Sequence, residues 1–249
     1  MLLGRYCVAF VLTAFLPHTV LAADGKIPPR TWVAELAIGG SLATGNTERK
    51  ALDFDGKARY RAGRIEDRYK LTAELGREDG VTTAQRWVAG YESNLDIQDG
   101  LYVLGFTQYE DDRFSGFQSE IEAGLGVGYR VLDTAAVTLS FDAGPGYRIG
   151  RVRAPTPDEK QLFVRGTALL DWQMSDSAKL SDELSISWDD ERTKVENTLS
   201  VTSKLIGSLA ARASVNVRHN TRPPPVAVRA AGSVKKTDTI SKIALVYSF

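Results

Sequence analysis

The last twelve residues, Asp238 to Phe249, constrain this chain more than any other stretch. Ile243, Leu245, Tyr247 and Phe249 alternate onto one face, opposite Asp238, Lys242 and Ser248, with Ala244 and Val246 between. A period of two means a strand, because successive side chains point to opposite faces. As the edge of a soluble sheet, a strand this apolar would recruit other chains to its unpaired backbone groups. In lipid every backbone group must be paired inside the protein, and strands achieve that only in a closed barrel. The tail therefore makes the rest of the chain the test.

The rest repeats it. Alternating segments bounded by turn residues are expected over 31–44, 48–62, 68–78, 85–95, 101–109, 118–131, 136–148, 161–173, 178–189, 194–205, 209–220 and 238–249. Segment 118–131 is the clearest: Ile121, Ala123, Leu125, Val127, Tyr129 and Val131 alternate with Glu120, Glu122, Gly124, Gly126, Gly128 and Arg130. Segment 101–109 is apolar on both faces, and Tyr102, Leu104 and Phe106 are assigned outward. Segment 178–189 puts an unwelcome charge, Asp182, on the outward face. The expected fold is all-β: a transmembrane antiparallel up-and-down β-barrel of about 12 strands over residues 31–249.

Two further patterns agree. Connections 63–66, 96–100, 132–134, 175–177 and 206–208 are short. Most on the other side, 79–83, 110–117, 149–160 and 221–235, are longer and more polar; 45–47 and 190–193 are short exceptions. Short periplasmic turns and longer external loops are the asymmetry of outer-membrane barrels. The outward aromatics also gather at strand ends: Trp32, Tyr60, Tyr69, Tyr102, Tyr129, Trp172, Tyr247 and Phe249 at one, Trp87, Tyr147 and Trp188 at the other. Amphipathic rings settle at headgroup level, so these form two girdles.

The N-terminus indicates the route. Arg5 precedes a run from Tyr6 to Leu21 with no charged residue except a potential charge at His18, and Val20-Leu21-Ala22 ends it with a small residue. Residues 1–22 read as a secretory signal cut after Ala22, with Ala23 as the alternative, followed by a short periplasmic segment, 23–30. The single cysteine, Cys7, falls inside the signal, which leaves the mature chain no thiol for a disulfide, a nucleophile or a metal site. Thirty-one basic and thirty-one acidic residues balance, so charge offers no argument for nucleic acid.

The residues Trp32, Gly40, Gly45-Asn46-Thr47, Asp111-Asp112 with Phe114, Gly124-x-Gly126-x-Gly128-Tyr129 and the terminal Tyr247-Ser248-Phe249 carry a family resemblance. The chain resembles the salt-induced outer-membrane proteins, a bacterial outer-membrane β-barrel family of unknown function, over nearly all its mature length. The resemblance implies a Gram-negative outer-membrane barrel and no particular activity. Pro223–Pro225 is outside what it covers.

No catalytic constellation emerges, and neither a cofactor nor a metal site is expected. After signal removal only His219 remains, and Ser214 and Asn216 point to the opposite face from it. Gly124–Gly128 and Gly144–Gly146 precede no helix, so they are not phosphate loops; they leave room on the inward face. Glu110, Asp111 and Asp112 lack calcium-loop spacing. The inward charges say more. Lys57, Arg59, Arg61, Arg68 and Lys70 form a basic ladder; a turn centred between Arg64 and Ile65 pairs Arg59 with Lys70 and Arg61 with Arg68.

That ladder has two readings: an anion-attracting constriction, or one part of a salt-bridged lumen neutralised by Asp55, Glu74, Asp171 and Glu183. The functional expectation is accordingly a narrow, porin-like channel for small solutes or ions. The alternative is a non-conducting structural or adhesive barrel plugged by its own side chains. The expected partners are outer-membrane lipids and lipopolysaccharide, the assembly machinery (through Tyr247 and Phe249), and small solutes or anions.

Overall fold

Period-two alternation gives each strand one apolar row, and closing the sheet pairs every backbone edge. The computed structural model describes residues 30–44, 49–78, 81–113, 117–152, 158–222 and 236–249. Among them twelve strands form one closed antiparallel barrel in sequence order. They are β1 (Arg30–Thr44), β2 (Arg49–Ala62), β3 (Ile65–Glu78), β4 (Val81–Gln98), β5 (Leu101–Asp112), β6 (Phe117–Asp133), β7 (Val137–Val152), β8 (Glu159–Gln173), β9 (Ala178–Trp188), β10 (Thr193–Ile206), β11 (Leu209–Asn220) and β12 (Thr237–Ser248). The expected signal and residues 23–29 lie outside the described residues, as do Gly45-Asn46-Thr47, Phe114 and Pro223–Pro225.

The tail is the closing strand. β12 pairs with β11 on one side and with β1 on the other, from Glu35 opposite Ser248 to Thr44 opposite Thr239. Beyond it, the Phe249 amide donates to the Ala34 carbonyl at 2.9 Å. The seam is tight at Gly39, where a Cβ would lie 2.1 Å from the Ile243 carbonyl oxygen.

The two rims differ. On the turn rim, Gly63-Arg64, Asp99-Gly100 and Gly207-Ser208 are two-residue hairpins, and their glycines have φ of 59°, 76° and 55°. Such turns need left-handed backbone, which costs glycine no Cβ clash. On the opposite, loop rim several strands run past the expected ends: β4 begins at Val81, β5 reaches Asp112 and β7 reaches Val152, so those connections are shorter than the alternation alone suggests. Backbone pairing there continues beyond the apolar rows. At ~3.4 Å per residue and ~45° of tilt, a twelve-residue strand rises ~29 Å, close to a bilayer's hydrocarbon thickness.

Outward rows are apolar around the whole barrel, including Leu36, Ile38, Leu52, Leu71, Leu125, Val127, Leu162, Ile243 and Leu245, all exposed. One row is opposite to expectation. Register places Glu92 beside Phe106 and Gly128 beside Tyr102, so Tyr102, Leu104 and Phe106 point inward and are buried, while Val103 is outward. Tyr102 therefore leaves the expected aromatic girdle. With both faces apolar, alternation had no contrast on β5, and pairing with β4 and β6 decided its face.

Candidate functional site

The inward faces of β5 to β8 build a packed wall from three residue types. Tyr102, Phe106, Phe163 and Phe117 lie over Gly128, Gly124, Gly146 and Gly150, where an added Cβ would stand 2.2, 2.6, 2.4 and 2.9 Å from the respective ring. Each ring is covered on its lumen side by an arginine. Arg130 lies 4.8 Å from the Tyr102 centroid, Arg165 3.8 Å from Phe106, Arg148 4.7 Å from Phe163 and Arg192 5.1 Å from Phe117. Guanidinium planes are attracted to ring faces, most strongly when desolvated. The glycines expected to leave room do so, and aromatic side chains from the neighbouring strands occupy it. The signal was present in sequence, since Tyr102, Leu104 and Phe106 fall directly opposite Gly128, Gly126 and Gly124.

The arginines that cap the rings also bind acids. Towards the loop rim, Arg148 donates to Glu122 at 2.6 Å and to Asp189 at 2.8 Å, with the Arg148 and Asp189 side chains each 1% exposed. Arg192 donates to Glu120 at 2.8 Å, and Lys194 also bonds Glu120. A second group surrounds Glu74 in the same half. Arg86 reaches Glu110 at 2.7 Å and Glu74 at 3.1 Å, while Lys242 reaches Asp53 at 2.8 Å and Glu74 at 3.4 Å. Arg218 bonds Glu196 at 3.2 Å. Mutual pairing is what makes so many buried charges tolerable.

The basic ladder stands in the other half, with one correction. The turn is centred between Gly63 and Arg64, so Arg59 faces Arg68, Lys57 faces Lys70, and Arg61 faces Glu66. The two-residue glycine turn sets a register two residues from the expected one, which keeps every side chain on its face but changes its partner. Arg61 binds Glu66 at 3.2 Å and Asp96 at 2.9 Å; Arg68 binds Glu66 at 2.7 Å and Glu92 at 3.2 Å. Lys57 and Arg59 are exposed to the lumen and form no ion pair recorded among the described residues.

Lys70 has an unexpected partner. Its Nζ meets Glu183 Oε1 at 4.0 Å, although β3 and β9 lie half the ring apart. Both side chains of this chord across the lumen stay accessible, 43% and 45% exposed. Along β9 to β12 the inward residues between charges are small: Ser181, Ser185, Thr198, Ser200, Ala210 and Ser214. A cavity of about 320 Å³ opens there at the turn rim, lined by Gln173, Lys179, Thr202, Lys204 and Ser248 among others.

The remaining expected residues fall on the outward face. Trp32, Tyr60 and Tyr69 cluster near the turn rim, with Trp32 to Tyr60 centroids 4.7 Å apart; Tyr129, Trp172 and Tyr247 also lie towards that rim. Tyr247 packs edge-on against Phe249 at 4.9 Å. Trp87, Tyr147 and Trp188 lie in the loop-rim half. His219 Nδ1 is 2.8 Å from Thr237 Oγ1, away from Ser214 and Asn216. Among the described residues no three His, Cys, Asp or Glu side chains form a group able to hold a metal ion.

Comparison with known proteins follows the same line. Residues 36–249 match the family described as protein of unknown function, DUF481. The uncharacterized protein YdiY of Escherichia coli (strain K12) is 23% identical over 166 residues, 67% of this chain and 63% of YdiY, so the match spans less than two thirds of that relative. Among solved structures, the NanC porin superposes with a TM-score of 0.55 at 7% identity, covering 85% of this chain and 98% of that one. A KdgM porin gives 0.48 at 10% identity over 86% and 99%, a looser likeness on which nothing here rests. The fold is a porin-like β-barrel.

Proposed function

The chain belongs to the DUF481 family, proteins of unknown function, and from that premise we propose that it is a bacterial outer-membrane barrel with a narrow, water-lined passage for small ions and solutes. The membrane placement is supported by the apolar outward rows and by aromatics at both ends of them. The turn rim faces the periplasm and the loop rim the lipopolysaccharide leaflet. Tyr247 and Phe249 on the closing strand serve recognition by the assembly machinery, and residues 1–22 serve export. Catalysis has no part in this reading.

The observation that carries conduction is the accessible Lys70–Glu183 chord, two long side chains that meet across the lumen and stay open to solvent. Beside it Lys57 and Arg59 add lumen-exposed positive charge, and cationic rings in a pore favour anions. Full-length protein in planar bilayers should show small unit steps with anion preference. Joint Lys57→Glu and Arg59→Glu substitution should move the preference towards cations. A silent bilayer would sink this reading in favour of the second one: a non-conducting barrel plugged at the loop rim. The buried Arg148–Asp189–Glu122 group favours that second reading.

A further inference from the structure

One carboxylate that faces away from the lumen is nonetheless buried. Asp67 on β3 lies on the outward side, opposite Tyr60 on β2 and Ser93 on β4, and is 4% exposed. Its inward neighbour Glu66 is paired with Arg61 and Arg68, whereas no ion pair to Asp67 is recorded among the described residues. Asp67 instead lies among rings. Tyr91 donates its hydroxyl to Asp67 Oδ1 at 3.0 Å. Tyr69 and Tyr91 centroids are 5.2 Å apart, and Trp32 lies 4.7 Å from Tyr60 and 6.3 Å from Tyr69. Three tyrosines thus adjoin one carboxylate near the turn rim, and Trp32 packs against two of them.

We propose that this cluster is a binding site for the ammonium group of a zwitterionic phospholipid. The proposal rests on the membrane placement above and not on conduction. A carboxylate removed from water without a cation is unfavourable unless a countercharge arrives from outside. Hydrogen-bond donation to a carboxylate makes the Tyr91 ring more electron-rich, and a cation over the ring face gains from both. Asp67 acts through the rings rather than by contact, since it is covered. Arg30 is exposed on the same outward face, two residues from Trp32 towards the turn rim, where it suits the lipid phosphate. Headgroup depth is where Trp and Tyr settle, so the ligand is present at high local concentration.

Native mass spectrometry tests this on the full chain in micelles doped with equal amounts of phosphatidylethanolamine and phosphatidylglycerol. The wild type should retain phosphatidylethanolamine over phosphatidylglycerol by about fivefold, the size of a modest cation–ring contact. Asp67→Asn should bring the ratio near parity and Tyr91→Phe should leave it between, with both variants keeping the gel mobility of a folded barrel. Tyr91→Phe retains ring and carboxylate, so it carries the test if Asp67→Asn does not fold. Parity in the wild type, or an undiminished preference in the folded variants, overturns the proposal. Displacement of the bound lipid by equimolar free ethanolamine overturns the lipid as the occupant. A silent bilayer leaves this result unaffected, so the two readings fail separately.

Discussion

The wall from β5 to β8 and the wall from β9 to β12 enclose the same lumen and fill it in different ways. On the first, glycine is followed by a ring and the ring by an arginine, four times over, with the arginine charges bound by acids. On the second, serine, threonine and alanine separate charged side chains, and a cavity opens towards the turn rim. Twelve strands leave a bore between one filled by side chains and one open to water. This barrel resolves the ambiguity by packing one side and leaving the other accessible. Any passage is therefore eccentric, along β9 to β12, and the packed wall sets its width.

The difference should be largest in stability. Arg148→Ala removes the closest cation from buried Asp189 and Glu122, leaving them only Arg192 at 3.9 Å and Lys194 at 3.7 Å, and should cost about 3–5 kcal/mol of unfolding free energy. Lys179→Ala, which removes an accessible pair with Asp171 at 2.9 Å on the open wall, should cost about 0–1 kcal/mol. Urea unfolding in lipid vesicles measures both, and similar costs for the two would erase the distinction between the walls. A smaller effect is expected from filling a ring seat. Gly128→Val drives a side chain into Tyr102 and should cost about 1–3 kcal/mol. By contrast, Gly166→Ala, where a Cβ meets nothing nearer than 3.9 Å, should stay within about 0.5 kcal/mol in the same assay. The chord should also contribute little to stability. Glu183→Gln frees Lys70 and should alter stability by less than about 1 kcal/mol. In bilayers it should raise unit conductance and anion preference; unchanged conductance would show that the narrowest point lies elsewhere.

Most of the architecture was legible in the chain because outward and inward residues differ so sharply in polarity. The observed segments from β6 to β12 match the alternating ones to within a few residues. β5 was misread because Leu101 to Phe106 offers no polar residue to mark a face, and the glycines opposite it held the missing clue. The ladder residues were all found on the inward face, but their partners were not. Residue counting placed the β2–β3 turn one residue late, and the left-handed Gly63 moved the pairing by two. Asp67 passed unnoticed for a different reason: an outward acid near a strand end looks like ordinary rim polarity until the tyrosines of β2, β3 and β4 are brought beside it.

What the sequence determined alone is what a period of two can encode: twelve strands, their order, the apolar face of eleven of them and the aromatics at their ends. Each of these depends on residues within one strand or one hairpin. The tertiary structure alone decided which charges meet. Lys70 with Glu183, Arg165 with Glu92 at 3.2 Å and Arg212 with Glu35 at 2.8 Å join strands that share no hydrogen bond. Their heights in the lumen follow from the stagger accumulated around the whole ring, strand by strand, and closure between β1 and β12 fixes that sum.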